Sequence, residues 1–179
     1  GGRYVGRLIA DILGIKFYDK DIITKLAEKT GLTEEYIESN EEKRDVLSIL
    51  DKGFYSGLTN ADELFIQESE FIKDIASKES CVIIGRCADF ILKDNKDVLK
   101  VFISGTMEDK IKRVTEFYGI DKKYAEKEIH KINKLRANHY KYYTGKEWLD
   151  ASNYDVCINS DLYGVEKTAD IICNLIKLN

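Results

Sequence analysis

Apolar residues recur at Val5, Leu8, Ile9, Ile12 and Leu13. That is the i, i+3, i+4, i+7, i+8 spacing of a helix with one apolar face, and it predicts a helix over about residues 4–13. Gly14 stands where a left-handed glycine would stop it. "IKFY" (15–18) follows as a short strand. Ile22, Ile23, Leu26 and Ala27 then pattern a second helix, ended at Gly31. Residues 33–58 are polar and read as helical pieces, after which Asn60 is placed to cap a longer helix bearing Leu64, Phe65, Phe71, Ile72 and Ile75. "CVIIG" (81–85) and "VLKVFIS" (98–104) are short apolar runs of the kind that form buried parallel strands, with "CADFILKD" as a short helix between them. A helix over about 107–118, a break at Gly119, a long charged helix over about 121–140, a strand in "YDVCIN" (154–159) and a last helix over about 163–178 complete the chain. That last helix carries Val165, Ala169, Ile172 and Ile176 on one face.

Strands alternating with helices predict an α/β domain built on a parallel sheet, with four strands recognisable and a helix as the first element. A chain of 179 residues suits one domain, here 1–179. No repeat, low-complexity tract or linker divides it. The polar stretch 33–78 reads as a helical insertion between two core strands. Hydrophobic residues make up 44%, which excludes a disordered chain. The formal charge of −4 gives no global basic field for nucleic acid. No apolar run approaches the ~18 residues of a membrane span, and "GGRYVGRLIADILG" lacks a signal-peptide cleavage pattern. Cys81, Cys87, Cys157 and Cys173 have no CxxC spacing and lie far from His130 and His139, so they read as reduced thiols of a cytoplasmic protein and not as zinc ligands. With proline absent, Gly, Asn, Asp and Ser supply the turns.

Three stretches carry chemistry. A helix N-terminus presents unpaired N–H groups and the positive end of the macrodipole, and glycines let a phosphate come close. Gly1-Gly2-Arg3 fits that role, or is simply the frayed start of the first helix. In "VIIGRCAD" (82–89) a buried strand ends at Gly85, and Arg86 follows at the carboxyl edge, where open α/β sheets bind ligands. Arg86 is suited to bidentate phosphate contact, or is a surface residue of a tight turn. Asp89, one turn on, orients Arg86 or caps the next helix. In "KINKLRANHYKYYTGKEW" (131–148) Arg136 leads a cluster of Tyr140, Tyr142, Tyr143 and Trp148. That segment reads as a lid bringing an arginine to a transferring phosphoryl group, or as aromatic packing of the long helix onto the body. Lys112 and Arg113 belong to the base of such a lid or to a solvated basic face.

A rival pattern lies in "ITKLAEKTGLTEEYIES", where Ala27, Gly31 and Ile37 have helix-turn-helix core spacing. Over 33–45, however, Glu34, Glu35, Glu38, Glu41, Glu42 and Asp45 outnumber Lys43 and Arg44. Such a face repels phosphates and argues against a DNA-binding regulator.

Taken in order, the Gly-Gly-Arg opening, "LGIKFYDKDII", "CVIIGRCADFIL", "LRANHYKYYTGKEW" and "SNYDVCIN" resemble the cytidylate kinase-like family, a branch of the P-loop nucleoside monophosphate kinases. The likeness covers nearly the whole chain. It implies a three-layer P-loop fold with a five-stranded parallel sheet in the order 2-3-1-4-5 and a lid-like segment over about 119–150. It implies ATP and Mg²⁺ as cofactors, and transfer of the γ-phosphoryl group to a nucleoside monophosphate, a pyrimidine such as CMP. Gly1, Gly2 and Arg3 match the end of the family's phosphate loop. Arg86, Asp19 and Asp89 fall where the acceptor nucleotide is held, and Arg136 and Arg113 match the lid arginines that neutralise the transferring group. The family's central first strand has no counterpart within the chain, and the expectation is that residues before Gly1 carry it. Gly2 stands where ordinary kinases place lysine, and Asn133 and Lys134 where classic lids are acidic. A non-catalytic nucleotide-binding or regulatory protein on the same fold is therefore the alternative.

Overall fold

The structure is a computed structural model that describes residues 1–31, 33–35 and 60–177. The polar helical pieces expected over 33–58, and the second half of the helix-turn-helix pattern, fall largely outside the described residues.

The chain starts with α1 (Gly2–Leu13), closed by Gly14 in the left-handed conformation at φ 65°. β1 (Lys16–Tyr18) and α2 (Asp21–Thr30) follow, and Gly31 ends α2 in the same way. After the segment outside the description come α3 (Asn60–Lys78), β2 (Cys81–Ile83), the single-turn α4 (Ala88–Ile91) and β3 (Val101–Ser104). α5 (Met107–Tyr118) is capped by Thr106, whose hydroxyl accepts from the Asp109 amide. Gly119 ends it, and α6 (Lys122–Thr144) follows, capped by the Asp121 side chain. α6 runs four residues past its expected end because the tyrosines at its carboxyl end are helical. A 3₁₀ turn (Ala151–Asn153), β4 (Val156–Asn159), the short α7 (Ser160–Tyr163) and α8 (Val165–Ile176) complete the described chain.

Among the described residues, four strands form two parallel pairs. β1 lies beside β2, with Phe17 opposite Val82, and β3 beside β4, with Phe102 opposite Cys157. α1 spans both pairs. Val5 and Ile9 pack with Ile158, Ala169, Ile172 and Cys173, and with Val82, Val101 and Ile103 at the edge of that cluster. A second core joins Tyr18 and Ile22 to Ile72, Ile75, Ala88 and Leu92, so α2, α3 and α4 close over the other side of β1–β2.

The helical face of α1 differs from the periodicity by one position. The buried residues are Val5, Gly6, Ile9 and Ala10, and Ile12 is half exposed. Two small residues on that face let the helix sit tightly on the strands. A Cβ at Gly6 would lie 2.6 Å from Ile84 Cδ1 and 3.3 Å from Val82 Cγ1. In α8, likewise, Thr168 is fully buried and its hydroxyl donates to the Gly164 carbonyl at 2.6 Å, whereas Ile176 is exposed. β2 and the apolar part of β3, expected to be buried, are half-buried. Among the described residues, each strand has a hydrogen-bonded neighbour on one side only.

Candidate functional site

The amino end of α1 is uncapped by any side chain, while the Tyr4 and Val5 amides both donate to the Gly1 carbonyl at 3.0 Å. The first N–H groups of the helix thus remain available as anion donors. The surroundings of Gly1 are cationic. A Cβ there would stand 2.7 Å from Arg113 Nη1 and 3.1 Å from Ser160 Oγ, so glycine is what admits the guanidinium. The charges of Arg113, Arg136 and Lys110, opposed by that of Asp161, all act at Gly1. Arginines from α5 and α6 and a lysine from α5 therefore act on one partly desolvated point.

Arg113 is held there by Asp161. Its Nη2 donates to Asp161 Oδ1 at 3.5 Å, and the carboxylate is almost fully buried. Asp161 Oδ2 also accepts from the Thr106 amide. A Cβ at Gly105 would meet Asp161 Oδ2 at 2.6 Å, so the β3–α5 loop passes the carboxylate at the closest approach a backbone allows. Asp161 is a residue that sequence reasoning missed. Its signal was local: it lies two positions beyond β4, with its own amide bonded to the Asn159 side chain at 3.0 Å.

Arg3 on α1 forms an ion pair with Asp19, which lies just past the end of β1. Asp19 Oδ2 is buried and, among the described residues, has no hydrogen-bond partner beyond this charge contact. Arg136, on α6, is solvent-accessible but surrounded by protein. Desolvation lowers its pKa, and Tyr118 and Asp19 oppose that shift. Gly1, Arg3, Asp19, Arg113 and Arg136 are thus brought together.

Arg86 occupies a second region, past the end of β2. Gly85, Arg86 and Cys87 are all left-handed, at φ 67°, 59° and 53°. Two of these are not glycine, and such a conformation costs about 1–3 kcal/mol per residue unless the surroundings impose it. One of the things that surround it is Glu68 of α3, which is 3% exposed and pairs through Oε1 with Arg86 Nη1 at 3.6 Å. The N-cap of α4 is Cys87, which makes no side-chain cap bond, and Asp89 lies in the helix's first turn. It accepts from the Tyr140 hydroxyl at 2.6 Å. Burial, then that bond, holds the Tyr140 phenol well above its usual range. The three residues expected to hold an acceptor therefore have separate partners: Arg3 for Asp19, Glu68 for Arg86 and Tyr140 for Asp89.

The tyrosines of α6 fix its carboxyl end. Tyr143 stacks on Phe65 with centroids 3.6 Å apart and donates to the Ala61 carbonyl at 3.0 Å, while Tyr142 donates to Asp62 at 3.3 Å. Trp148 lies edge-on to Phe102 of β3. Of the two uses open to this cluster, packing is observed. Lys112 is exposed on α5.

The site lies at one edge of the strands. Asp19, Arg86, Thr106 and Asp161 each fall within three residues of a strand's carboxyl end, the edge at which parallel α/β sheets hold ligands. Among the described residues no cluster of three or more His, Cys, Asp or Glu is placed to hold a metal ion, and no helix is long and apolar enough to cross a membrane.

Residues 1–162 match the family described as the cytidylate kinase-like family. A curated relative, the cytidylate kinase of Methanopyrus kandleri, is 23% identical over an alignment covering 96% of this chain and 85% of its own. A crystal structure of an uncharacterized protein from Eubacterium ventriosum superposes with a TM-score of 0.76 at 30% identity, over 100% of this chain and 93% of that one.

Proposed function

The chain belongs to the cytidylate kinase-like family, and on that premise we propose that it transfers the γ-phosphoryl group of ATP to a nucleoside monophosphate, a pyrimidine such as CMP. The observation that carries this reading is the convergence of Arg113, Arg136 and Lys110 on the uncapped, glycine-only start of α1. Phosphoryl transfer asks little covalent chemistry of a protein; it asks for positioning and for charge where the transition state develops it. Gly1, Gly2 and the first N–H groups of α1 take the donor phosphates. Arg113, locked by Asp161, supplies a fixed positive charge beside them. Arg136, accessible and desolvated, faces the reacting group. Arg86, presented by the left-handed turn, takes the acceptor phosphate, whose oxygen attacks the γ-phosphorus as the β–γ bridging oxygen leaves.

Mg²⁺ fits this arrangement in a limited way. It usually binds through one or two carboxylates together with substrate phosphates and water, and Asp19, with a buried oxygen lacking a hydrogen bond, is the carboxylate nearest the loop arginine. When bound, the ion neutralises charge on the donor phosphates.

The 2-3-1-4-5 strand order implied by the family likeness supports the same reading. That order is compatible with the pairing of β1 with β2 and of β3 with β4, and would put the family's first strand between β2 and β3.

In steady-state assays Arg86→Ala raises the acceptor KM about tenfold or more with a smaller change in kcat. Arg136→Ala lowers kcat by about 10²-fold or more with little change in either KM, as loss of a contact made only in the transition state requires. Unchanged kinetics in both variants of an active protein overturn the assignment. A second reading, a nucleotide-binding protein without turnover, rests on Gly2 at the position where ordinary kinases carry lysine. Tight ATP binding with no product is its signature.

A further inference from the structure

The molecule carries exposed aromatic surface that the reading above leaves unused. Tyr4 is 53% exposed and Phe117 is 70% exposed, yet their rings face each other at a centroid distance of 6.4 Å and a tilt of 35°. Large apolar groups left this open are informative when they sit beside a charged site. This pair does. Tyr4 is in the first turn of α1, and its amide is bonded to the Gly1 carbonyl. Phe117 lies one turn along α5 from Arg113, the arginine that crowds Gly1. Phosphate cradle, arginine and aromatic pair therefore form one continuous strip. Tyr118, also largely exposed, extends it and contributes to the field at Arg136.

We infer that Tyr4 and Phe117 form the platform on which the base of the donor nucleotide stacks. The inference rests on the proposed binding of donor phosphates at Gly1. The occupant follows from the neighbouring charge: a ligand anchored by phosphates over Gly1 and Arg113 and carrying a flat apolar group is a nucleoside triphosphate. Stacking on an aromatic face uses the π surface that every base has, and so is sequence-tolerant. No hydrogen-bonding residue is needed for it. The site therefore takes ATP and GTP with affinities within about threefold of each other, and the platform decides affinity without selecting the base.

The test is calorimetric titration of the whole protein with ATP, GTP and inorganic tripolyphosphate. Base–aromatic stacking is worth roughly five- to a hundredfold in affinity per contact. The wild type binds ATP and GTP alike, and tripolyphosphate at least about tenfold more weakly. Tyr4→Ala and Phe117→Ala lower ATP affinity by roughly tenfold each and leave tripolyphosphate unchanged. Phe117→Trp, which keeps a stacking face, retains ATP affinity. Both side chains are exposed, so truncation leaves the core intact, and unchanged tripolyphosphate binding confirms the fold of each variant. ATP binding unaltered by both alanine substitutions, or a strong preference of ATP over GTP, overturns the platform while the phosphate site stands. Failure of ATP and tripolyphosphate alike to bind the wild type overturns the phosphate site and the platform together.

Discussion

At the residue scale, the site depends on pairs more than on single side chains. Arg113 is held by Asp161, Arg3 by Asp19, Arg86 by Glu68 and Tyr140 by Asp89. A cation fixed by a buried carboxylate does not have to be organised when a phosphate arrives, and the saving appears in the reaction rate. Arg86 was legible in the sequence because it follows an apolar run at the end of a strand, whereas Arg3, Arg113 and Arg136 lie within helices and stood out through the glycines, the basic pair, the aromatic cluster beside them and the family likeness. Their partners were not. Glu68 sits in an ordinary amphipathic helix, and only tertiary packing turns it toward Arg86. Asp161 was obscured because an Asp after a strand also reads as a turn residue. Asp89 stood out in the sequence for its place one turn after Arg86, but its bond to Tyr140 spans a separation no local pattern reveals. Two phenols, one buried and one half-buried, carry a pH prediction. Tyr140 and Tyr154 both have pKa values raised above the usual 10.0, chiefly by burial. A pKa higher in the folded state than in the unfolded one gives stability that is complete below the unfolded value and is lost as pH rises through the folded one. The melting temperature should thus hold level up to about pH 10 and fall above it. Tyr140→Phe should flatten that alkaline fall while lowering stability at neutral pH by about 1–3 kcal/mol, because Asp89 loses its donor. An alkaline fall as steep in Tyr140→Phe as in wild type would assign it to other groups.

At the element scale, helix α1 does two jobs. Its amino end presents the glycines, and its flank packs on both strand pairs. Periodicity located the helix but turned its buried face by one position, because a hydrophobic pattern gives no weight to glycine. Gly6 is buried because something larger would not fit. Alanine is a better helix former than glycine by about 1 kcal/mol, but a methyl group here meets Ile84, Val82 and Phe17 at 2.6, 3.3 and 3.4 Å. Overpacking of this kind costs about 1–3 kcal/mol, so packing wins. Gly6→Ala should lower stability by about 1 kcal/mol and the melting temperature by about 2–4 °C. A rise in the melting temperature would mean that Ile84 turns aside freely and that helix propensity decides. At the other end of the site, the tyrosines of α6 read equally well as lid or as packing. The stack of Tyr143 on Phe65 and the bonds to Ala61, Asp62 and Asp89 show its carboxyl end anchored to α3 and α4. Arg136 lies one turn before Tyr140, so the anchor also sets where the arginine begins.

At the scale of the molecule, two parallel strand pairs bridged by α1 gather residues from α1, α5, α6 and three loops at the carboxyl edges of the strands. The alternation of strands and helices, the four strands and most helix ends were legible because left-handed glycines punctuate them: Gly14, Gly31, Gly119 and Gly145 each close a helix. The apolar runs alone show that strands exist and say nothing of which edges they leave open; only the family likeness, with its central strand absent from the chain, pointed to a division into two pairs. In the proposed function this gathering of cations moves a phosphoryl group. The most direct measurement incubates the protein with ATP, Mg²⁺ and each nucleoside monophosphate in turn, and follows formation of ADP and the nucleoside diphosphate. Equal amounts of both products are expected with a pyrimidine acceptor such as CMP, and neither in Arg136→Ala. A wild-type protein that binds ATP yet forms no diphosphate from any acceptor would contradict the proposed function.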